Sequence, residues 1–166
     1  MHTSFKTVGL VGRSEQRGIR GVLQQLLPLL EARGLEVLLE DELESRAPGH
    51  ECRLASRDEI GQAADVVIVV GGDGSLLSAA RTLAKYDTPV LGVNRGRLGF
   101  LTDITPDEID QQVPAVLGGE YVTEKRFLLD ATLRRDEQVL GRADALNDVV
   151  VNSGTSAQMI ELELYI

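Results

Sequence analysis

The sequence predicts an α/β protein, in which a parallel sheet flanked by helices is followed by the start of an antiparallel β domain. Strands and helices alternate through the first hundred residues, and the strands are apolar along their length, as from Val66 to Val70. Such strands are typical of parallel sheets that helices cover on both faces. From Tyr121 onward the apolar residues recur with period two, which favours antiparallel strands. We therefore expect two domains, residues 1–118 and residues 119–166.

The first domain is predicted to contain alternating strands and helices. The strands are expected over residues 7–11, 35–39, 65–70 and 89–93. The helices are expected over residues 18–33, 56–62 and 75–85, with a fourth opening at residue 105. Gly34 is expected to cap the first helix, and Pro28 predicts a kink or a division in it because proline removes a backbone hydrogen bond.

Local polar patterns mark the ends of several elements. Ser56 with Glu59, and Thr105 with Glu108, form capping-box patterns at two helix starts. Residues 40–49 are acidic and rich in turn formers, so we expect an exposed loop there.

The second domain is predicted to be a small antiparallel sheet. Strands are expected over residues 127–133, 145–151 and 160–166, with a charged turn between the first two. A sheet of so few strands has exposed edges and too little core. We therefore expect the C-terminal domain to continue beyond Ile166.

Composition restricts the partners. The 166 residues carry 17 basic and 26 acidic side chains, for a net charge of −9, whereas nucleic acid and anionic membranes both require a basic face. We therefore expect no nucleic acid and no membrane partner. A single cysteine, Cys52, excludes an internal disulfide, and neither it nor His2 and His50 has partners at metal-ligand spacing. No signal peptide is recognisable, so a cytoplasmic location and no protein metal site are expected.

A glycine-rich tetrapeptide, Gly71-Gly72-Asp73-Gly74, lies directly between a predicted strand and a predicted helix. Glycines let the backbone turn and approach a ligand, and a helix N-terminus favours an anion. Asp73 would repel phosphate, so the loop suits a site where the acid meets a hydroxyl group or a metal ion beside phosphates. From the tetrapeptide alone, a tight turn with Asp73 as N-cap explains the pattern equally well.

The predicted topology gathers the glycine-rich segments. In parallel sheets, ligands bind outside the carboxyl ends of the strands, where Gly12, residues 71–74 and residues 94–99 are expected to meet. The chain has no Gly-x-x-x-x-Gly-Lys-Ser/Thr loop, and no Gly-x-Gly-x-x-Gly follows a strand. Both a P-loop enzyme and an ordinary dinucleotide-dependent dehydrogenase are therefore disfavoured.

Three segments in order carry a family resemblance: Gly71 to Gly74, the run GVNRGRLGFL from Gly92 to Leu101, and Ala145 to Asp148. With them the chain resembles the bacterial NAD kinases over essentially its whole length. The resemblance implies a Rossmann-like N-terminal domain, a β-sandwich C-terminal domain and a nucleotide site between them. It also implies ATP-dependent phosphorylation of the adenosine ribose 2′-hydroxyl of NAD, which gives NADP.

The same resemblance assigns site residues. Asp73 matches the catalytic acid that orients the hydroxyl group and accepts its proton, and Gly74 matches a close backbone contact to the dinucleotide. Phe100 matches an aromatic residue lining the adenine pocket, although its apolar neighbours alone would favour a core position. Asn147 and Asp148 match a pair that binds polar groups of the dinucleotide, where the family more often has glutamate at the second position.

Further expectations concern charge and assembly. A carboxylate at a helix N-terminus should have a lowered pKa, so Asp73 should act chiefly by holding and polarising the hydroxyl group. Arg95 and Arg97 lie near the expected site, but solvated loop charges are the favoured interpretation. The family implies ATP and NAD as substrates, a divalent metal such as Mg²⁺, and assembly as dimers or tetramers.

Two alternatives remain open. Phosphofructokinase-like and lipid-kinase-like enzymes also carry a Gly-Gly-Asp-Gly loop, but their patterns lack the segments around residues 94–101 and 147–148. The chain could also be a catalytically silent nucleotide-binding fragment, because the family's downstream Thr/Ser/Gly-rich segment is not in these residues.

Overall fold

The structure is a computed structural model that describes residues 5–50, 52–96, 99–152 and 161–165. The chain divides into two compact units, Met1–Lys125 and Arg126–Ile166. The strands of the first unit are β1 (Thr7–Gly12), β2 (Glu36–Glu40), β3 (Arg53–Ala55), β4 (Val66–Val70) and β5 (Val90–Val93). Its helices are α1 (Ile19–Glu31), α2 (Arg57–Ala63), α3 (Asp73–Leu83) and α4 (Ile109–Leu117).

The sheet of the first unit has the order β3-β2-β1-β4-β5, and its neighbouring strands are all parallel. Successive residues of β4 belong to two different hydrophobic clusters. Ile68 packs in a cluster with residues of α1 and α4, and Val69 in a cluster with residues of α2 and α3. Because side chains alternate between the faces of a strand, two helices cover each face. The predicted Rossmann-like sheet with flanking helices is confirmed.

Both predicted capping boxes are present. The Ser56 backbone N–H donates to Glu59 Oε2 at 2.8 Å, and the Glu59 N–H donates to Ser56 Oγ at 3.3 Å. Thr105 and Glu108 form the same arrangement around a short 3-10 turn that leads into α4. Gly34, in the left-handed region with φ of 66°, follows the end of α1 as its sequence position predicts.

Pro28 does not divide α1, which runs without a break from Ile19 to Glu31. The prediction of a division is wrong: Pro28 has no N–H for the carbonyl four residues earlier, but the loss of this one hydrogen bond does not end the helix. The leucines on either side, Leu27 and Leu30, are fully buried and hold this end of the helix in the core.

The segment between β2 and α2 is more ordered than its acidic composition suggests. Residues Asp41–Arg46 form a 3-10 turn in which Leu43 is fully buried, and β3 follows as a sheet edge. The exposed-loop prediction for residues 40–49 missed the 3-10 turn, and no element was predicted over β3. Three residues are too few to show a strand period, and backbone pairing with β2 determines β3, for example Leu39 opposite Leu54.

In the described residues of the second unit, β6 (Leu129–Arg135) and β7 (Gln138–Ala145) form an antiparallel hairpin. The predicted strand over residues 145–151 is wrong, since β7 ends at Ala145, and residues 161–165 form no strand either. The charged stretch between residues 133 and 145, predicted to be a turn, belongs mostly to the two strands. They are largely exposed, so charged side chains fit there, and Asp136 with φ of 52° makes the tight turn. Residues 160 and 166 lie outside the described residues.

Within the described ranges, no helix combines the length and the apolar character needed to cross a membrane.

Candidate functional site

The candidate site lies at the carboxyl edge of the parallel sheet. From β1 the chain adds β2 and β3 on one side and then crosses to place β4 on the other, so the ends of β1 and β4 form a topological switch point. The Gly71 N–H donates to the Val93 carbonyl at 2.9 Å, and Arg95 Nη1 donates to the Arg17 carbonyl at 2.7 Å. The loops after β1, β4 and β5 therefore meet at this edge, as predicted.

A cavity of about 400 Å³ opens at this edge. It is lined by Gly72, Asp73, Asn94, Arg95, Gly96 and Gly99. Its size is within the range of small-molecule sites, and its lining comes from the loops that follow β4 and β5. The tertiary fold thus brings the glycine-rich tetrapeptide together with the second of the resembling segments.

The three glycines of the tetrapeptide differ in what their surroundings require. None has a positive φ, so the turn itself does not demand glycine. At Gly71 a Cβ atom would overlap the Ser75 side chain, whereas at Gly72 and Gly74 it would meet no protein atom within 4 Å. Packing therefore explains only Gly71. The open space beside Gly72 and Gly74 leaves room for a ligand to approach the backbone.

Asp73 is the first residue of α3, and the N-cap is Gly72. The alternative in which Asp73 caps the helix is therefore wrong. Its carboxylate instead accepts two backbone N–H groups from a distant turn: Phe100 donates to Oδ2 at 2.9 Å and Leu101 to Oδ1 at 3.0 Å. The side chain thus connects the glycine-rich loop to the segment that carries Phe100.

These hydrogen bonds lower the pKa of Asp73 below its ordinary value of 3.8, the Phe100 N–H having the larger effect and the Leu101 N–H the next. The direction agrees with the prediction made from the helix N-terminus. Its main source is different, because the donors lie on a turn about 27 residues later in the chain. Asp73 is consequently an anion with little intrinsic strength as a base.

Two buried polar residues, Asn94 and Thr102, organise the loop beside Asp73. Asn94 Nδ2 donates to Thr102 Oγ1 at 3.0 Å, and Asn94 Oδ1 accepts the backbone N–H of Arg95 at 2.6 Å. Thr102 Oγ1 also accepts the Gly99 N–H at 3.4 Å. The sequence analysis did not single out either residue. A polar amide directly after the apolar run of β5 was the available signal.

A second polar network lies at the same edge of the sheet and was not predicted. Glu40, 5% exposed at the end of β2, accepts the Gly12 N–H at 2.9 Å and pairs with Arg57 Nη2 at 2.7 Å. Arg57 Nη1 donates onward to Ser78 Oγ on α3 at 3.3 Å. Burial raises the pKa of Glu40, against the opposing effects of Gly12 and Arg57. The network joins the end of β1 to α2 and α3.

The other predicted residues lie as follows. Phe100 is 99% exposed next to Asp73, so the core alternative for it is wrong. Gly74 is the second residue of α3. Asn147 and Asp148 belong to the second unit, where they are exposed after the end of β7. Their part in the site remains a prediction.

The two arginines of the loop, Arg95 and Arg97, were predicted to be solvated surface charges. Arg95 is half-buried and lines the cavity, and its Nε is buried with no hydrogen-bond partner in the described part of the chain. Arg95 is therefore not simply a solvated charge on the surface. Arg97 lies outside the described residues.

The decisive comparison is with protein families: the ATP-NAD kinase N-terminal domain matches residues 8–121. The chain belongs to the ATP-NAD kinase family. The NAD kinases of Pseudomonas putida strain W619 and Ectopseudomonas mendocina strain ymp are 50% and 51% identical to it over 162 residues. These matches cover 98% of this chain and 55% of each relative. The chain therefore spans about half the length of the curated relatives it matches.

A solved structure shows the same fold. The crystal structure of yeast NADH kinase complexed with NADH matches with a TM-score of 0.71 and 18% sequence identity. The match covers 87% of this chain and 48% of the yeast chain. The yeast structure and this chain therefore share a fold, and the glycine-rich loop of this chain lies at the switch point of its sheet.

Proposed function

We propose that the protein phosphorylates NAD at the adenosine ribose 2′-hydroxyl with ATP as donor, giving NADP and ADP. The observation that carries this proposal is the position of Asp73, whose carboxylate lines the cavity at the carboxyl edge of the sheet in a chain of the ATP-NAD kinase family. A carboxylate readily accepts a hydrogen bond from a hydroxyl group, and the N-terminus of a helix such as α3 favours the binding of a phosphate group.

In the proposed reaction, the ribose 2′-oxygen attacks the γ-phosphorus of ATP while the bond between that phosphorus and the β,γ-bridging oxygen breaks, and ADP leaves. The hydroxyl proton passes to Asp73 and then to solvent. Because the transition state of phosphoryl transfer is loose, the proton leaves late and alignment supplies most of the catalysis. An Asp73 with a lowered pKa suits this role, since it remains charged and holds the hydroxyl group in line.

Other residues are proposed to bind the dinucleotide. The exposed ring of Phe100 would stack against the adenine base, and Gly74 would allow close approach of the ligand to the backbone. Arg95 offers a positive charge at the cavity for a phosphate group. Asn147 and Asp148 are proposed to hold polar groups of NAD, with Asp148 reaching less far than the glutamate more usual in the family.

The divalent metal is proposed to enter as part of the nucleotide substrate, as Mg²⁺–ATP. In the ranges that the structure describes, no three His, Cys, Asp or Glu side chains are grouped as a bound metal requires. Among the described residues that line the cavity, Asp73 is the one carboxylate, too few for a resident Mg²⁺. A triphosphate would instead supply most of the oxygen ligands to Mg²⁺. A cytoplasmic location and a homo-oligomeric assembly are proposed with this activity.

The test is a coupled assay on the full natural chain with NAD, ATP and Mg²⁺, in which an NADP-specific dehydrogenase reports the product. Parallel reactions offer fructose 6-phosphate and diacylglycerol as acceptors, because sugar and lipid kinases also carry the Gly-Gly-Asp-Gly loop. Formation of NADP alone supports the proposal. Phosphorylation of another acceptor without NADP, or nucleotide binding without any transfer, would replace it with one of the two alternatives.

A further inference from the structure

The hydrogen bonds of Asp73 reach the residues that carry the exposed aromatic ring. Phe100 donates its own backbone N–H to Asp73 Oδ2, and Leu101 donates to Oδ1. The Phe100 side chain itself is 99% exposed, so side-chain packing does not hold it in place. The position of the ring therefore depends on the backbone of its turn, and Asp73 is one of the groups that hold that turn.

The carboxylate has enough acceptor capacity for a further partner. An ionised carboxylate offers about four lone-pair sites on two oxygens, and the two backbone N–H groups leave at least one site for a ligand hydroxyl. Asp73 is thus able to hold the turn and to accept a hydrogen bond from a substrate at the same time.

Gly99 makes this arrangement sterically possible. A Cβ atom built on Gly99 would overlap the Asp73 carboxylate, at 2.7 Å from its Cγ. The close approach of Asp73 therefore requires glycine at this position. A methyl group at this position would push the carboxylate away from the two N–H groups.

We infer that Asp73 is a positioning residue as well as the proposed hydroxyl acceptor: it holds the turn of residues 99–102 in the form that presents Phe100 to the base of the nucleotide. Recognition of the hydroxyl group and recognition of the base are then coupled through one side chain, and Gly99 is the residue that permits the coupling. This inference rests on the proposed function, because it takes an adenine nucleotide to be the ligand.

The first arm of the test needs neither ligand nor activity. Hydrogen exchange of the amides of Phe100 and Leu101 is followed by mass spectrometry in the full chain without ligand, for wild type, Asp73→Asn and Gly99→Ala. Gly21→Ala is the control, because Gly21 is exposed on α1 and a Cβ there meets no protein atom within 4 Å. We expect about tenfold faster exchange in the first two variants, as for loss of a charge-assisted hydrogen bond, and no change in the control. Unchanged exchange in Asp73→Asn overturns the inference.

The second arm measures the coupling to Phe100 by a double-mutant cycle on the dissociation constant of NAD. Gly99→Ala keeps the carboxylate but displaces it, and we expect binding to weaken about tenfold. In the Phe100→Ala background, the same substitution should change the dissociation constant much less, because no ring remains to be positioned. An equal effect in both backgrounds overturns the inference. A wild type that fails to form NADP overturns the proposed function, while the exchange arm still decides whether Asp73 holds the turn.

Discussion

Arg57 and Glu40 form an ion pair at 2.7 Å in which the glutamate is 5% exposed. Because Glu40 also accepts the Gly12 N–H, this pair connects α2 to the end of the central strand beside the candidate site. Removal of the cation would leave a buried carboxylate with a single backbone donor, which is costly.

We therefore expect Arg57→Ala to lower the free energy of unfolding at pH 7 by about 3 kcal/mol. Arg53→Ala is the matched control, since its pair with Glu36, at 3.7 Å, joins side chains that are both more than half exposed. That variant should lose less than about 1 kcal/mol. Urea denaturation of both proteins measures the difference, and equal losses would contradict the importance of burial at Glu40.

Asp73→Asn should fold but lose most of its turnover. The amide cannot accept a proton, and its NH₂ group would face one of the two backbone N–H donors. We expect kcat for NADP formation to fall by about a hundredfold or more, together with a higher KM for NAD. A thermal melt close to that of wild type shows that the variant is folded. Near-normal kcat would remove Asp73 from the proposed catalytic role.

Gly71→Ala should lower the stability of the protein, whereas Gly72→Ala should weaken nucleotide binding. The first places a methyl group against Ser75, so we expect a loss of about 1–3 kcal/mol in the free energy of unfolding. The second meets no protein atom within 4 Å and should leave stability nearly unchanged, but it should weaken nucleotide binding because it enters the open space of the cavity. Urea denaturation and calorimetric titration with NAD measure the two effects. Tight binding by Gly72→Ala would show that no ligand approaches there.

Phe100→Ala should affect binding without affecting stability. The ring is 99% exposed, so its removal costs no core packing. Stacking of a base on an aromatic ring is worth about 1–3 kcal/mol, so we expect the dissociation constant of NAD to rise about tenfold. Phe100→Tyr keeps the ring and is the matched control. The assignment fails if both variants bind NAD as wild type does.

Asp65 should make folding sensitive to acid. Its Oδ2 accepts the N–H groups of Lys6 at 2.7 Å and Thr7 at 2.9 Å, and these bonds, Thr7 first, lower the pKa of Asp65 below 3.8. A carboxylate with a lowered pKa in the folded state stabilises the fold above the unfolded value of about 3.8, and this contribution is lost as the pH falls through the folded value.

We therefore expect Asp65→Asn to be less stable than wild type at pH 7 and to approach it below pH 3.8, as urea denaturation would measure. Asp130→Asn, at an exposed position of the hairpin, is the control. A stability difference between wild type and Asp65→Asn that does not change with pH would contradict the role of the carboxylate.

Much of the first unit could be predicted from local patterns. Two capping boxes, the fully apolar β4 and the helical spacing in α1 depend on neighbouring residues only, so the sequence displays them directly. Short or charged elements were missed or misplaced, because β3 has three residues and the hairpin of β6 and β7 is largely exposed. In both cases backbone pairing with another strand, and not side-chain period, determines the structure.

By itself the sequence determined the class of fold, the place of the glycine-rich loop after β4 and, through its motifs, the family. These depend on hydrophobic period and on residue types at short spacing. Only the tertiary structure decided what Asp73 touches, why Gly99 is a glycine and where Glu40 finds Arg57. The partners in these contacts are 17 to 28 residues apart in the chain. They meet because the order of the parallel strands brings separate loops to one edge, and local sequence does not encode that order.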